Sequence, residues 1–216
     1  MNVAHLTIHS ENGSANCIVN ASNSGDHVFN VTADYVNISG FTVENATGSW
    51  KAGIYLGAGV DLCNVSDNNV SNNDYGIYLR SSSNNTLTSN TANSNNHSGI
   101  FLYESSNNNT LTSNTVSDNG YGIFLYWSSN NTLTSNTANS NNYHGIWLRS
   151  SSNNALTSNN ASGNTLQDFY SDPDSHNNTI EDLTIASYPT TVSFIYDQGI
   201  GLKGVQLQKN QTPLER

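Results

Sequence analysis

The feature that most restricts the fold of this chain is a period. The segments GIYLG, GIYLR, GIFLY, GIFLY and GIWLR begin at Gly53, Gly76, Gly99, Gly122 and Gly145, each displaced from the last by 23 positions. A second series follows each one: NVSDNNV, NTLTSNTA, NTLTSNTV, NTLTSNTA and NALTSNNA. Its apolar marks, Val65, Leu87, Leu111, Leu133 and Leu156, are spaced by 22, 24, 22 and 23. The scatter falls in polar tracts such as Asn107-Asn108-Asn109, so strands keep register while turns absorb the length changes.

A fixed period of this size marks a unit that buries its apolar face against its own neighbours. Helical repeats need an apolar residue every three or four positions over a long run, and these units contain none. GIYLR instead alternates with period two, the pattern of a strand with one buried side. The SSSNN and NSNN tracts between strands favour turns and tolerate left-handed backbone. The prediction is an all-β chain, a right-handed single-stranded parallel β-helix with coils of about 23 residues.

Stacking sets equivalent residues over one another. Ile54, Ile77, Ile100, Ile123 and Ile146 form one expected interior ladder, and Leu56, Leu79, Leu102, Leu125 and Leu148 a second. The Val65 to Leu156 series forms a third, with Val70, Ala92, Val116, Ala138 and Ala161 beside it. Asn68, Asn90, Asn114, Asn136 and Asn159 are placed for amide hydrogen bonds along the stack. Such ladders explain how a chain that is roughly a third Asn and Ser folds at all. Residues 1–50 read as irregular coils in which Val36, Ile38, Phe41 and Val43 enter the stack, and 51–187 as regular ones. Residues 188–205 read as a capping or exit segment and 206–216 as a flexible tail. Cys17 and Cys63 allow one disulfide that their spacing does not decide.

A formal net charge of −10 argues against nucleic acid or an anionic membrane as partner, and no apolar run is long enough to enter a bilayer. The opening MNVAHLTIHS carries no secretory leader, which suggests a fragment of a longer chain.

The repeat NTLTSNTANSNN, followed by GI-x-L, closely resembles the right-handed parallel β-helix repeats of NosD-like and carbohydrate-binding/sugar-hydrolase (CASH) domains. More narrowly it resembles arrays in surface-layer-associated proteins of methanogenic archaea. The resemblance extends over about residues 3–205. It implies a β-helix that is part of a longer secreted chain, at the cell surface.

Candidate chemistry lies on the outward positions. Tyr55, Tyr78, Phe101, Phe124 and Trp147 form an expected exposed aromatic file, with Gly57, Arg80, Tyr103, Tyr126 and Arg149 beside it. Such a file either stabilises the sheet by cross-strand packing or offers rings and hydrogen bonds to a sugar or a partner protein. Thr86/Thr88, Thr110/Thr112 and Thr132/Thr134 form a threonine grid resembling an ice-binding surface, or simply reflect β-propensity. Sequons begin at Asn84, Asn108 and Asn130. Asp168, Asp172 and Asp174 gather near Tyr170 and His176, the place where a hydrolase or lyase would find acids. One Met and six dispersed His (His5, His9, His27, His97, His144, His176) do not suggest a metal site, and no cofactor is expected. The reading is a non-catalytic, extracellular surface module for display or adhesion, with polysaccharide or a cell-surface protein as partner. The alternative is a carbohydrate-active lyase or glycoside hydrolase.

Overall fold

The computed structural model describes residues 1–187, 201–203 and 206–209. It is a parallel β-solenoid in which each coil passes through three sheets, here called A, B and C. One regular coil supplies Ser98–Tyr103 to sheet C, Thr110–Thr112 to sheet A and Thr115–Ser117 to sheet B. Among the described residues sheet A has nine strands, from Thr7–His9 to Gly201–Lys203, and sheet C seven, from Phe29–Val31 to Gln167–Ser171. Sheet B has segments of three and five strands, joined by bridges at Thr91.

Register follows the repeat. Ile54, Ile77, Ile100, Ile123 and Ile146 lie opposite one another, as do Leu56, Leu79, Leu102, Leu125 and Leu148. In sheet A, Ile38, Val65, Leu87, Leu111, Leu133, Leu156 and Ile180 make one continuous ladder. All belong to a single buried core, together with Val36, Phe41 and Val43 of the irregular coils. Each fully buried aliphatic contributes about 1.5–3 kcal/mol, and each also meets its equivalent in the coils above and below.

The corners are held by amides. Asn90 Oδ1 accepts from the backbone N–H of Asn68 at 3.2 Å and from its Nδ2 at 3.1 Å, and Asn114 Oδ1 does the same for Asn90 at 3.0 Å each. The same Asn90 Nδ2 also donates to the Val65 carbonyl at 2.8 Å, so the buried side chain uses both N–H groups. Two further columns of this kind run through Asn73, Asn95, Asn119, Asn141 and Asn164, and through Asn85, Asn109, Asn131, Asn154 and Asn178. The corner residues beside these columns sit in the left-handed region, as at Asn84 (φ 58°), Ser89 (φ 54°) and Ser94 (φ 57°). Short polar side chains tolerate that region best among residues with a Cβ.

The glycine that opens each GIxL segment is set by this packing. A Cβ on Gly122 would lie 2.3 Å from the carbonyl oxygen of Gly145 and 2.8 Å from Asn141 Nδ2. Because Gly76 turns inward beside Ile77, the residue before it is thrown outward. Tyr75 therefore packs with Tyr78 and Phe101 outside the core, at ring-centroid distances of 5.1 and 5.3 Å.

Two further strands pair beyond Ser187. Gln206–Lys209, in the expected tail, pairs in parallel with Thr184–Ser187. Gly201–Lys203, within the expected capping segment, pairs with Thr179–Glu181. The reason is that the period resumes: Leu202 stands opposite Ile180 and Leu207 opposite Ile185, each 22 positions on. The rest of the 188–205 segment and of the tail lies outside the described residues. Cys17 and Cys63 are both free thiols.

Candidate functional site

The outer face of sheet C is covered with aromatic rings in two layers. The lower layer is the expected file, but it is not the exposed ladder that strict alternation predicts. Phe101 is only 2% exposed, Tyr78 and Phe124 are buried with it, and Tyr55 and Trp147 pack at the ends. Cross-strand stacking holds the file together, with Phe101–Phe124 centroids 5.0 Å apart and the Phe124 and Trp147 rings nearly parallel at 4.2 Å. Tyr75 is buried with the file, and what covers it is a second set of rings: Trp50, Tyr103, Tyr121 and Tyr126.

That covering layer forms the accessible surface. Trp50 lies across the face, 6.2 Å from Tyr103, and Tyr103 lies 6.0 Å from Trp127, which stacks at 4.1 Å on Tyr126. Trp50 and Trp127 are 53% and 48% exposed, and both hold left-handed backbone, at φ 62° and 52°. For a bulky residue that conformation is costly, and an exposed indole returns little to folding. At Trp127 the conformation is that of the coil corner, shared by its repeat equivalents Ser81 (φ 48°), Glu104 (φ 49°) and Ser150 (φ 47°), so what the core does not require there is the exposed indole itself.

Two open grooves run through this layer. One, of about 420 Å³, is lined by His27, Trp50, Lys51, Tyr55, Tyr78, Arg80 and Tyr103. The other, of about 220 Å³, lies between Trp50 and Tyr103 on one side and Tyr121, Trp147 and Arg149 on the other. Arg80 Nε donates to Glu104 Oε2 at 2.8 Å, which holds the Glu104 carboxyl below its usual range. Arg149 places its guanidinium 4.5 Å above the Tyr126 ring and 5.6 Å from that of Trp147.

The histidines of this face are neutral near pH 7. Burial, helped by the charge of Lys51, pulls His27 down to about 4, and its Nδ1 accepts the Ala52 N–H at 3.0 Å. Burial alone brings His144 to about 4 and also lowers His97. Burial pushes the Tyr75, Tyr78 and Tyr103 hydroxyls up, so these remain protonated donors.

All the outward residues expected from the sequence are on this face, yet only Arg80, Tyr103, Tyr126 and Arg149, with the two end rings, reach solvent appreciably. Trp50, Lys51, Tyr75, Tyr121 and Trp127 were not expected. Extending the repeat alignment by one residue before each glycine exposes the column Tyr75, Ser98, Tyr121 and His144. Trp50 lies in the irregular coils, where no period points to it.

The acids proposed for catalysis are used by the scaffold. Asp168 Oδ1 ends one asparagine column, accepting from Asn164 N at 3.0 Å and Nδ2 at 2.9 Å. Asp172 Oδ1 accepts from Ser150 N at 2.9 Å and Ser175 Oγ at 2.7 Å, and Asp174 is exposed. The threonine pairs of sheet A stand in register over three coils, between Asn64/Ser66 and Ala155/Thr157. The sequon residues Asn84, Asn108 and Asn130 are exposed, whereas Asn85, Asn109 and Asn131 beside them are buried in a column.

A family model described as periplasmic copper-binding protein (NosD) matches residues 4–179, most of the chain. The chain belongs to the NosD family. No curated protein matches it. Among solved structures, this NosD-family chain is similar to the periplasmic alginate epimerase AlgG, with a TM-score of 0.63 and 22% identity over 82% of this chain. It spans 46% of that protein, less than half. The Dettilon tailspike protein gp208 gives a TM-score of 0.64 at 17% identity, covering 80% of this chain and 40% of the tailspike. The Azotobacter vinelandii mannuronan C-5 epimerase AlgE4 A-module gives 0.57 at 12% identity, covering 94% and 81%. These likenesses establish the β-helical fold.

The copper in the family's description does not fit the residues of this NosD-family chain. Copper takes thiolate, thioether or imidazole ligands, but among the described residues no three of His, Cys, Asp and Glu come together. Met1 is the sole methionine. Burial raises the Cys63 thiol, whose sulfur already accepts the Val36 N–H at 3.3 Å, and His27 Nδ1 is taken by backbone.

Proposed function

We propose that this chain is a non-catalytic β-helical module, working outside the cytoplasm in display or adhesion, that binds polysaccharide along the outer face of sheet C. The observation that carries the reading is the exposed indole of Trp50, which lines both open grooves with Tyr103, together with a second exposed indole, Trp127, 6.0 Å from Tyr103. A sugar ring needs an apolar face to stack on and hydrogen-bonding groups around it. Tyr103, Tyr126, Arg80 and Arg149 supply the second requirement beside the first. The family's periplasmic description supports a site outside the cytoplasm. The names of two structural relatives, an alginate epimerase and a mannuronan epimerase, support a polymeric sugar as partner.

A glycoside hydrolase needs two carboxyl groups facing one bond, and a calcium-dependent lyase needs acidic ligands gathered beside a base. Asp168 and Asp172 are instead engaged by Asn164, Ser150 and Ser175, which favours binding over turnover. The test is a glycan array combined with a reducing-sugar release assay on the whole chain. The expected result is binding without release, weakened about tenfold or more by Trp50→Ala combined with Tyr103→Ala. Release of reducing ends that Asp172→Ala abolishes would establish the enzyme instead.

A further inference from the structure

Half of the positive side chains of this acidic chain gather in one place. Of six Lys and Arg, the three within residues 1–187 are Lys51, Arg80 and Arg149, and all three line the grooves of sheet C. The formal charge of the whole chain is −10, so nothing general about solubility requires cations on this face. We infer that the polysaccharide is acidic, its carboxylates held by Arg80 and Arg149 at the two ends of a track formed by Tyr103 and Tyr126. This inference rests on the polysaccharide reading above and names its chemical class.

Arg80, Tyr103, Tyr126 and Arg149 form one column of register partners, running along the stack and across the strands. Three strand spacings separate the two arginines, ~14 Å, the reach of a short run of sugar residues. Trp50 lies beside Tyr103, and Trp127 beside both Tyr103 and Tyr126. Both guanidinium groups are oriented without being used up. The Nε of Arg80 is fixed by Glu104, which leaves its other N–H donors for a ligand. Arg149 is positioned by the faces of Tyr126 and Trp147, and no carboxylate pairs with it among the described residues. A ring face orients a guanidinium but accepts none of its N–H donors in the plane, so the fork that matches a carboxylate remains open. Lys51 adds a third charge in the same groove as Arg80.

The acids on this side work against the cations and supply a sharper test. Glu104 offsets Arg80, Asp74 Oδ2 accepts the Trp50 N–H at 2.7 Å, and Asp26 lies close enough to His27 to act on its charge. Replacing Glu104 by Gln therefore strengthens binding of an acidic polymer while leaving a neutral one unaffected.

The experiment measures binding of the whole chain to a panel of uronate polymers and to each polymer after its carboxyl groups are reduced to hydroxymethyl groups. Binding of the uronate forms, lost on reduction and weakened at high salt, supports the inference. In that case Arg149→Gln and Arg80→Gln each weaken uronate binding about tenfold, and Glu104→Gln tightens it. Equal binding of the acidic and reduced polymers overturns the inference and leaves the polysaccharide reading standing. Binding of neither, by a chain with unchanged circular dichroism, overturns both. A uronate affinity indifferent to all three substitutions places the acid elsewhere and also overturns the inference.

Discussion

The outer faces of sheets A and C are built from the same coils on the same spacing, yet they present different chemistry. From Asn64–Ser66 to Thr132–Thr134, sheet A shows three-residue strands whose outward positions are Thr, Asn and Ser. Sheet C shows strands of up to six residues, with two layers of rings and three cations. The solenoid does not need the second arrangement, because sheet A keeps register without it. Its interior ladder and the amide columns at the corners suffice. The contrast separates what holds the coils together from what the molecule offers to a partner.

The largest effect that sharpens this contrast is expected from the lower aromatic layer. Phe101→Ala should cost about 3–5 kcal/mol, whereas Thr112→Ala on sheet A should change stability by no more than about 0.5 kcal/mol. Urea denaturation of the two variants measures both, and a similar loss from each would break the distinction. Asn114→Ala should follow closely at about 3 kcal/mol. It strands the N–H and Nδ2 of Asn90, buried groups that Asn114 Oδ1 accepts.

A smaller effect comes from pH. His27 and His144 lie at about 4 in the folded chain, below the ordinary value of 6.5 that the unfolded chain takes. Above pH 6.5 both states are neutral and the stability is fully present. As the pH falls from about 6.5 towards 4 the unfolded chain gains protons first, and stability is lost. After discounting for solvent screening the loss is ~1 kcal/mol for each ring. Thermal denaturation across that range should show it, and His27→Phe with His144→Phe should flatten the profile. The smallest effect belongs to sheet A: Thr110→Ser and Thr134→Ser should leave polysaccharide binding unchanged in a direct titration.

Most of the fold could be read from the sequence, because a 23-residue period fixes which residues stand above which. The aliphatic ladders and one asparagine column follow from that alone. Asn85 and Asn95 sit in tracts that look like ordinary turns, and only the corner geometry shows their amides turned inward. The candidate site was legible in place but not in depth. Alternation puts Tyr78, Phe101 and Phe124 outward correctly. It cannot show that Tyr75 joins them through the inward turn at Gly76, nor that Trp50 folds across from a coil without a period. Those two events convert an expected exposed ladder into a buried layer under a new surface.

Intrinsic tryptophan fluorescence tests the binding face most directly, because Trp50, Trp127 and Trp147 are the only indoles in the chain and all belong to the outer face of sheet C. Titration with a polysaccharide that the chain binds should give a saturable change in emission, together with protection from acrylamide quenching. Binding that saturates by calorimetry while emission and quenching stay unchanged would mean that the sugar lies on another face.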